Sequence, residues 1–249
     1  MIRHRLVVRT RGAASSAATV AALTIVAAAF GTLGTLAGAP AALAAPTPTD
    51  APHHAPATAA KPTILVIGDS LSAEYGLPRD TGWVALMRER LTQERIDYSV
   101  ANASISGDTS SGGLARLPLA MQRLKPSIVL IELGANDGLR GVPLTTTESN
   151  LRAMIEMIRA DGAKPVLIGM YVPPNYGTDY VRQFHGLYTR LSQDMHVPLV
   201  PFLLAGIVDK PELFQADQLH PNQQAQSLLL GNVWPTVKPL LHDSGGAKH

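Results

Sequence analysis

Five short apolar runs, each followed by a stretch of helical periodicity, constrain the fold of this chain more than any other feature. They lie at residues 63–68 (TILVIG), 98–102 (YSVAN), 127–133 (SIVLIEL), 164–169 (KPVLIG) and 198–201 (PLVP). Strands that are apolar at nearly every position must be covered on both faces, as the strands of a parallel sheet are. Between the runs, helical patterns fall at about 82–95, 111–124, 145–161, 178–195 and 222–240. In the 145–161 stretch, Leu151, Met154, Ile155 and Ile158 share one face. This alternation predicts one α/β domain over residues 62–241, with a parallel sheet between helices. In such sheets ligands bind beyond the carboxyl ends of the strands, so chemistry is to be sought just after each run.

Hydrophobic residues make up 46% of the 249 and charged residues 16%, a balance that supports a core of ordinary size. The formal charge of +2 belongs to the first 44 residues, which hold Arg3, Arg5, Arg9 and Arg11 and no acid; beyond them remain 17 basic and 19 acidic residues. That balance gives no reason to expect a nucleic-acid partner. Residues 1–44 read as a secretory signal: a basic start, an alanine-rich apolar stretch centred on residues 20–26, and Ala42 and Ala44 at −3 and −1 before Ala45. An uncleaved anchor is the competing reading of the same stretch. The chain contains no cysteine, so a lipid anchor, a disulfide and a thiolate nucleophile are all excluded. Residues 45–61, rich in Pro, Ala and Thr, read as a linker that includes a solvated His53-His54 pair, and residues 242–249 as a polar tail. The expectation is an exported chain, periplasmic or secreted, monomeric, and without stable membrane insertion after cleavage.

The segments after the runs carry polar residues of a particular kind. Gly68, Asp69 and Ser70 follow the first run, Gly107 lies in the loop after the second, Asn136 and Asp137 follow the third, and Asp217 and His220 come late. A serine on a tight strand-to-helix turn is accessible as a nucleophile, and a helix start favours negative charge developing beside it. Alone, Ser70 reads better as a helix cap, and it lacks the G-x-S-x-G spacing of an α/β-hydrolase elbow. Histidine supplies the base a serine needs, and Asp217, three residues before His220, can orient the imidazole. The same segment reads equally well as a surface loop before a helix capped near Asn222. The backbone amides of Ser70 and Gly107 and the Asn136 side chain are three neutral donors suited to an oxyanion, although Gly107 and Asn136 each also read as turn residues.

Asp69 is expected to fix loop hydrogen bonds, Asp137 to serve a turn, and Ser104, Ser106, Ser110 and Ser111 to satisfy backbone groups. His185 and His196 read as surface or packing residues. No ligand set suggests a metal and no phosphate-binding G-x-x-x-x-G-K-[ST] is present, so no cofactor is expected.

Taken together, nucleophile, two donor loops and base follow strands in the order Ser, Gly, Asn, His. At this point the chain resembles the SGNH, or GDSL, hydrolases, and within them the bacterial periplasmic acyl thioesterase, protease and lysophospholipase family often called arylesterases. The resemblance runs from about residue 63 to 241. It rests on residues 67–73 (IGDSLSA), 102–110 (NASISGDTS), 113–118 (GLARLP), 132–141 (ELGANDGLRG), 174–177 (PNYG) and 220–222 (HPN). It implies a flavodoxin-like three-layer α/β/α fold with a five-stranded parallel sheet. It implies Ser70, Asp217 and His220 as a triad, with Ser70, Gly107 and Asn136 as the oxyanion hole. It further implies an acyl site bordered by Leu139 and Arg140 and by the loop holding Met170, Tyr171, Val172 and Tyr176. Expected substrates are small-molecule or lipid acyl esters and thioesters. A carbohydrate O-deacetylase, using the same catalytic parts, and a non-catalytic envelope binding protein are the alternatives. Two departures stand out: Ala135, where relatives often carry glycine, and Glu74-Tyr75-Gly76, expected at the rim of the site.

Overall fold

The computed structural model describes residues 61–241. The expected signal at 1–44, nearly all of the linker and the tail at 242–249 lie outside the described residues. The expected strands are all present: β1 (Thr63–Gly68), β2 (Ser99–Asn102), β3 (Ile128–Glu132), β4 (Lys164–Ile168) and β5 (Leu199–Val200). They form one parallel sheet in the order β2-β1-β3-β4-β5. The helices are α1 (Trp83–Gln93), α2 (Ser110–Leu124), α3 (Ala135–Leu139), α4 (Leu144–Ala160), α5 (Thr178–Met195) and α6 (Gln226–Leu241). Helices α1 and α6 pack together, while α2 packs on α4 and α4 on α5, so two helical groups clothe the sheet.

The reason for the near-continuous apolar runs is visible in the core. Ile64, Leu65, Val66 and Ile67 of β1 and Ile128, Val129, Leu130 and Ile131 of β3 are fully buried. At the sheet edges the runs are shorter than expected. Pro198 and Pro201 bracket β5 and lack an N–H for the ladder, leaving two strand residues. Tyr98 stays out of β2 because its amide turns back to the Ile96 carbonyl.

The strand order reverses between β1 and β3, and there Gly68 pairs with Glu132. Such a switch point opens a crevice at the carboxyl ends of the strands. One helix is not visible as a pattern in the sequence: α3 has five residues and begins beyond Gly134, whose φ of +117° is open only to glycine. A Cβ on Gly134 would lie 2.4 Å from the Tyr188 hydroxyl, which donates to the Leu133 carbonyl. Gly134→Ala is expected to lower the unfolding free energy by about 2 kcal/mol or more, through backbone strain and this clash. Urea unfolding followed by circular dichroism measures it, and an unchanged midpoint would contradict this account.

Candidate active site

The end of β1 turns sharply. The Asp69 carbonyl accepts from the amides of Ser72 and Ala73, closing one helical turn around Ser70. Behind that turn sits Glu132, fully buried at the end of β3. Its Oε2 accepts from the Asp69 amide at 3.3 Å and from the Ser72 hydroxyl at 2.7 Å. Gly68 has no side chain because a Cβ there would lie 2.7 Å from the same oxygen. Burial, and then the nearby Asp69 charge, pushes the Glu132 carboxyl well above its usual range, against the pull of those two hydrogen bonds.

Asp69 is buried as well. Its Oδ1 accepts from the Leu71 amide at 3.0 Å and its Oδ2 from the Asn136 side chain at 2.9 Å. Burial raises its carboxyl to about 6, and the hydrogen bonds from Leu71 and Asn136 restrain the rise. The expected loop role of Asp69 is thus observed, and it extends to aiming Asn136.

The Ser70 Oγ lies 2.9 Å from His220 Nε2, and His220 Nδ1 lies 2.7 Å from Asp217 Oδ2. The other Asp217 oxygen accepts from the amides of Leu219 and His220, each at 3.0 Å. Burial works to raise the Asp217 carboxyl, but these two amides, the imidazole hydrogen bond and its charge together outweigh it and bring the carboxyl to about 2. Asp217 is therefore ionised near pH 7. The segment is pinned around His220: its carbonyl accepts from the Gln215 amide, and the Gln215 side chain donates to the Tyr75 and Pro221 carbonyls. The Tyr75 ring packs on the imidazole with centroids 4.4 Å apart, so the rim expected around Glu74 and Tyr75 touches the base directly.

Three donors converge on the same end of the sheet. The backbone amides of Ser70 and Gly107 have no acceptor among the described residues. Gly107 has φ +78°. Its loop is held by Arg116 of α2, which donates to Asp108 Oδ2 at 2.6 Å, to the Gly68 carbonyl at 3.1 Å and to the Ala103 carbonyl. Arg140 donates to the Gly107 carbonyl at 2.9 Å, tying this loop to the one after α3. Neither Glu132 nor Arg116 was assigned a role from the sequence; the signal available was a charged residue at the end of an apolar strand and another in the middle of a helix.

The remaining candidates sort plainly. Asp137 is a buried strut: it accepts from the Ser110 amide and hydroxyl and from Thr147, joining α3 to α2 and α4. Ser110 is buried in that network. The Ser104 hydroxyl is buried without a partner among the described residues, contrary to the expectation that it satisfies a backbone group. His185 packs face to face on Tyr171, and His196 ends α5 in a left-handed conformation. Among the described residues, no cluster of three His, Cys, Asp or Glu side chains could hold a metal ion.

A cleft of about 660 Å³ begins at Ser70, Asn136 and His220. Leu139, Met170, Tyr171 and Val172 line it, as expected, and Ala135 lines it beside Asn136. Tyr176 does not line it; its hydroxyl donates to the Leu139 carbonyl at 3.0 Å and holds that loop. Phe202, Leu204, Val208, Phe214 and Leu219 complete the wall and were not singled out from the sequence. They lie after β5 in a stretch without periodicity, and their position beyond a strand end was the one available clue.

Residues 66–228 match the GDSL-like lipase/acylhydrolase family. The chain belongs to this family. It is 51% identical over 183 residues to the esterase TesA of Pseudomonas aeruginosa, covering 74% of this chain and 91% of that protein. It is 42% identical over 187 residues to thioesterase 1/protease 1/lysophospholipase L1 of Escherichia coli, covering 75% and 88%. The crystal structure of the psychrotrophic esterase EstA from Pseudoalteromonas superimposes with a TM-score of 0.69 at 43% identity, over 72% of this chain and 98% of that one. The GDSL chain is accordingly an esterase-type hydrolase with the five-stranded SGNH fold, as its motifs implied.

Two expectations follow for this GDSL hydrolase. Glu132→Ala removes the acceptor for two buried donors and should lower the unfolding free energy by about 2–4 kcal/mol, whereas Glu132→Gln keeps that acceptor and should stay near wild type; paired urea titrations decide. Asp69, unfolded near 3.8 and folded at about 6, binds more protons folded than unfolded between these values. Its contribution to stability therefore falls as pH rises from about 4 to 6 and is constant above, a total on the order of 3 kcal/mol. Glu132, whose carboxyl is also raised, contributes with the same sign. Asp69→Asn should make the stability curve less steep between pH 4 and 6; an unaltered curve would show that Asp69 is not the titrating group.

Proposed function

We propose that this chain hydrolyses fatty-acyl esters and thioesters through an acyl-enzyme on Ser70. The observation that carries the reading is a Ser70–His220–Asp217 hydrogen-bond relay at one end of an apolar cleft. His220 takes the Ser70 proton through Nε2 as Oγ attacks the carbonyl carbon. Asp217, ionised, accepts from Nδ1 and stabilises the imidazolium that forms. The amides of Ser70 and Gly107 and the Asn136 side chain receive the oxyanion, Asn136 being aimed by Asp69. The alcohol or thiol leaves with the proton from His220, and water, deprotonated by the same imidazole, releases the acid.

The walls support an acyl chain rather than a sugar. Leu139, Met170, Val172, Phe202 and Leu204 offer no array of hydrogen-bonding side chains to a carbohydrate, and exposed Tyr171, Val208 and Leu219 keep the mouth apolar. The relatives' names, an esterase TesA and a thioesterase and lysophospholipase, point the same way. The chain-start pattern supports export to the periplasm or medium. Among the described residues no helix is long and apolar enough to cross a membrane.

The test is kcat/KM on p-nitrophenyl acetate, butyrate, octanoate and palmitate, with Ser70→Ala as control. Each buried methylene adds about 0.8 kcal/mol, so butyrate should exceed acetate by roughly tenfold. Ser70→Ala should reduce turnover by about 10³-fold or more. Activity on acetate alone would favour the deacetylase, and turnover that survives in Ser70→Ala would overturn the mechanism.

A further inference from the structure

A second cavity of about 430 Å³ lies beside the catalytic cleft, against Thr178, Arg182, His185 and Gly186 of α5. Tyr171, Pro174 and Val181 line both spaces. The Tyr171 ring is the partition between them. One face stacks on His185, which lines only the second cavity, with centroids 3.7 Å apart and planes 12° from parallel. It also meets Phe202, which lines only the catalytic cleft, nearly edge to face at 4.7 Å and 78°.

The partition is not bolted in place. The Tyr171 hydroxyl makes no hydrogen bond among the described residues, and the side chain is 41% exposed. Packing, including the ring contacts with His185 and Phe202, holds it. The second cavity suits an apolar guest. Arg182 turns its guanidinium to Asp179, 2.9 Å away at the solvent edge. His185 is held toward its neutral form by burial, against the weak pull of the Met170 carbonyl.

We propose that this cavity is a distal acyl subsite: a long fatty-acyl chain held by the catalytic cleft passes Tyr171 and lays its end against α5. This rests on the reading of Ser70 as the acylated nucleophile and of the cleft as the acyl site. Short chains end before the partition. Longer ones displace the Tyr171 ring from His185, and each methylene then buried gains about fourfold in binding. Tyr171 thereby sets the chain length at which the second cavity is used.

Two variants act on the cavity in opposite directions. Tyr171→Ala removes the partition and joins the two spaces. Gly186→Leu fills the second one: a Cβ at Gly186 would meet only the tip of the flexible Arg190 side chain, at 3.3 Å, and leucine favours the helix over glycine. The readout is the ratio of kcat/KM for palmitate to that for butyrate, measured on the same preparation so that partial misfolding cancels. Tyr171→Ala should raise the ratio and Gly186→Leu should lower it, each by roughly tenfold, the effect of two or more methylenes. Calorimetric binding of palmitic and butyric acids to the Ser70→Ala protein, with and without each change, gives the same ratio without turnover. It separates a failure of the subsite from a failure of the serine mechanism. Parallel loss across chain lengths in Tyr171→Ala, or an unchanged ratio in Gly186→Leu, would overturn the subsite.

Discussion

At the carboxyl ends of the two central strands, Gly68 faces Glu132 across the sheet, and the geometry of the site depends on that contact. The missing side chain at Gly68 lets the Glu132 carboxyl reach the first turn beyond β1 and hold it by the Asp69 amide and the Ser72 hydroxyl, on either side of Ser70. Asp69, fixed by that turn, accepts from Asn136 and so refers a donor on α3 to the same origin. Arg116 links the Gly68 carbonyl to the loop of Gly107. Ser70, Asn136 and the loop of Gly107, the proposed nucleophile and oxyanion donors, are therefore all tied to one strand end in a tightly packed core. A preorganised site of this kind needs little rearrangement as charge develops.

Three carboxyls near the serine show how environment assigns their states. Glu132, fully buried beside a second acid, has its carboxyl pushed well above the usual range and acts as a hydrogen-bond acceptor behind Ser70. Asp69, buried but served by an amide and a side-chain donor, titrates at about 6. Asp217, near the surface, overcomes its modest burial with two amides and an imidazole and titrates at about 2. Only Asp217 is matched to stabilising a positive imidazolium. The gradient runs from raised carboxyls in the interior to a lowered one at the rim, following burial and the hydrogen bonds each carboxyl receives.

Much of this was legible in the sequence for physical reasons. β1 and β3 are buried on both faces, so their apolar runs could mean little else, and α5 was read to its observed ends because its periodic face is strong. Ser70, Gly107 and Asn136 stood out as candidates because they follow strand ends, and Asp217 and His220 because the surrounding motif is distinctive. Other parts left no local mark. α3 is too short for a period to appear and contains Gly138. Glu132 belongs to the sequence as one charged residue ending a strand; its role arises from Gly68, 64 residues earlier, through a register that only pairing defines. The far wall of the cleft comes from Phe202, Leu204, Val208 and Phe214, whose common destination is set by the path after β5 rather than by spacing.

The fold divides the work between its two halves. The proposed reacting groups sit after β1, β2 and β3, with His220 brought across by the segment before α6, and hydrogen bonds tie them to one another. The apolar walls of the cleft sit chiefly after β4 and β5 and are built from side-chain packing. Met170 and Val172 are buried in their loop, while Tyr171 between them reaches outward and is held by packing that includes its ring contacts. A change in that wall alters the space offered to an acyl chain without breaking any hydrogen bond that positions Ser70, Asn136 or His220. Reaction and selectivity are thus mechanically separable in this chain, because one is built from directional bonds at a switch point and the other from non-directional contacts on the loops beside it.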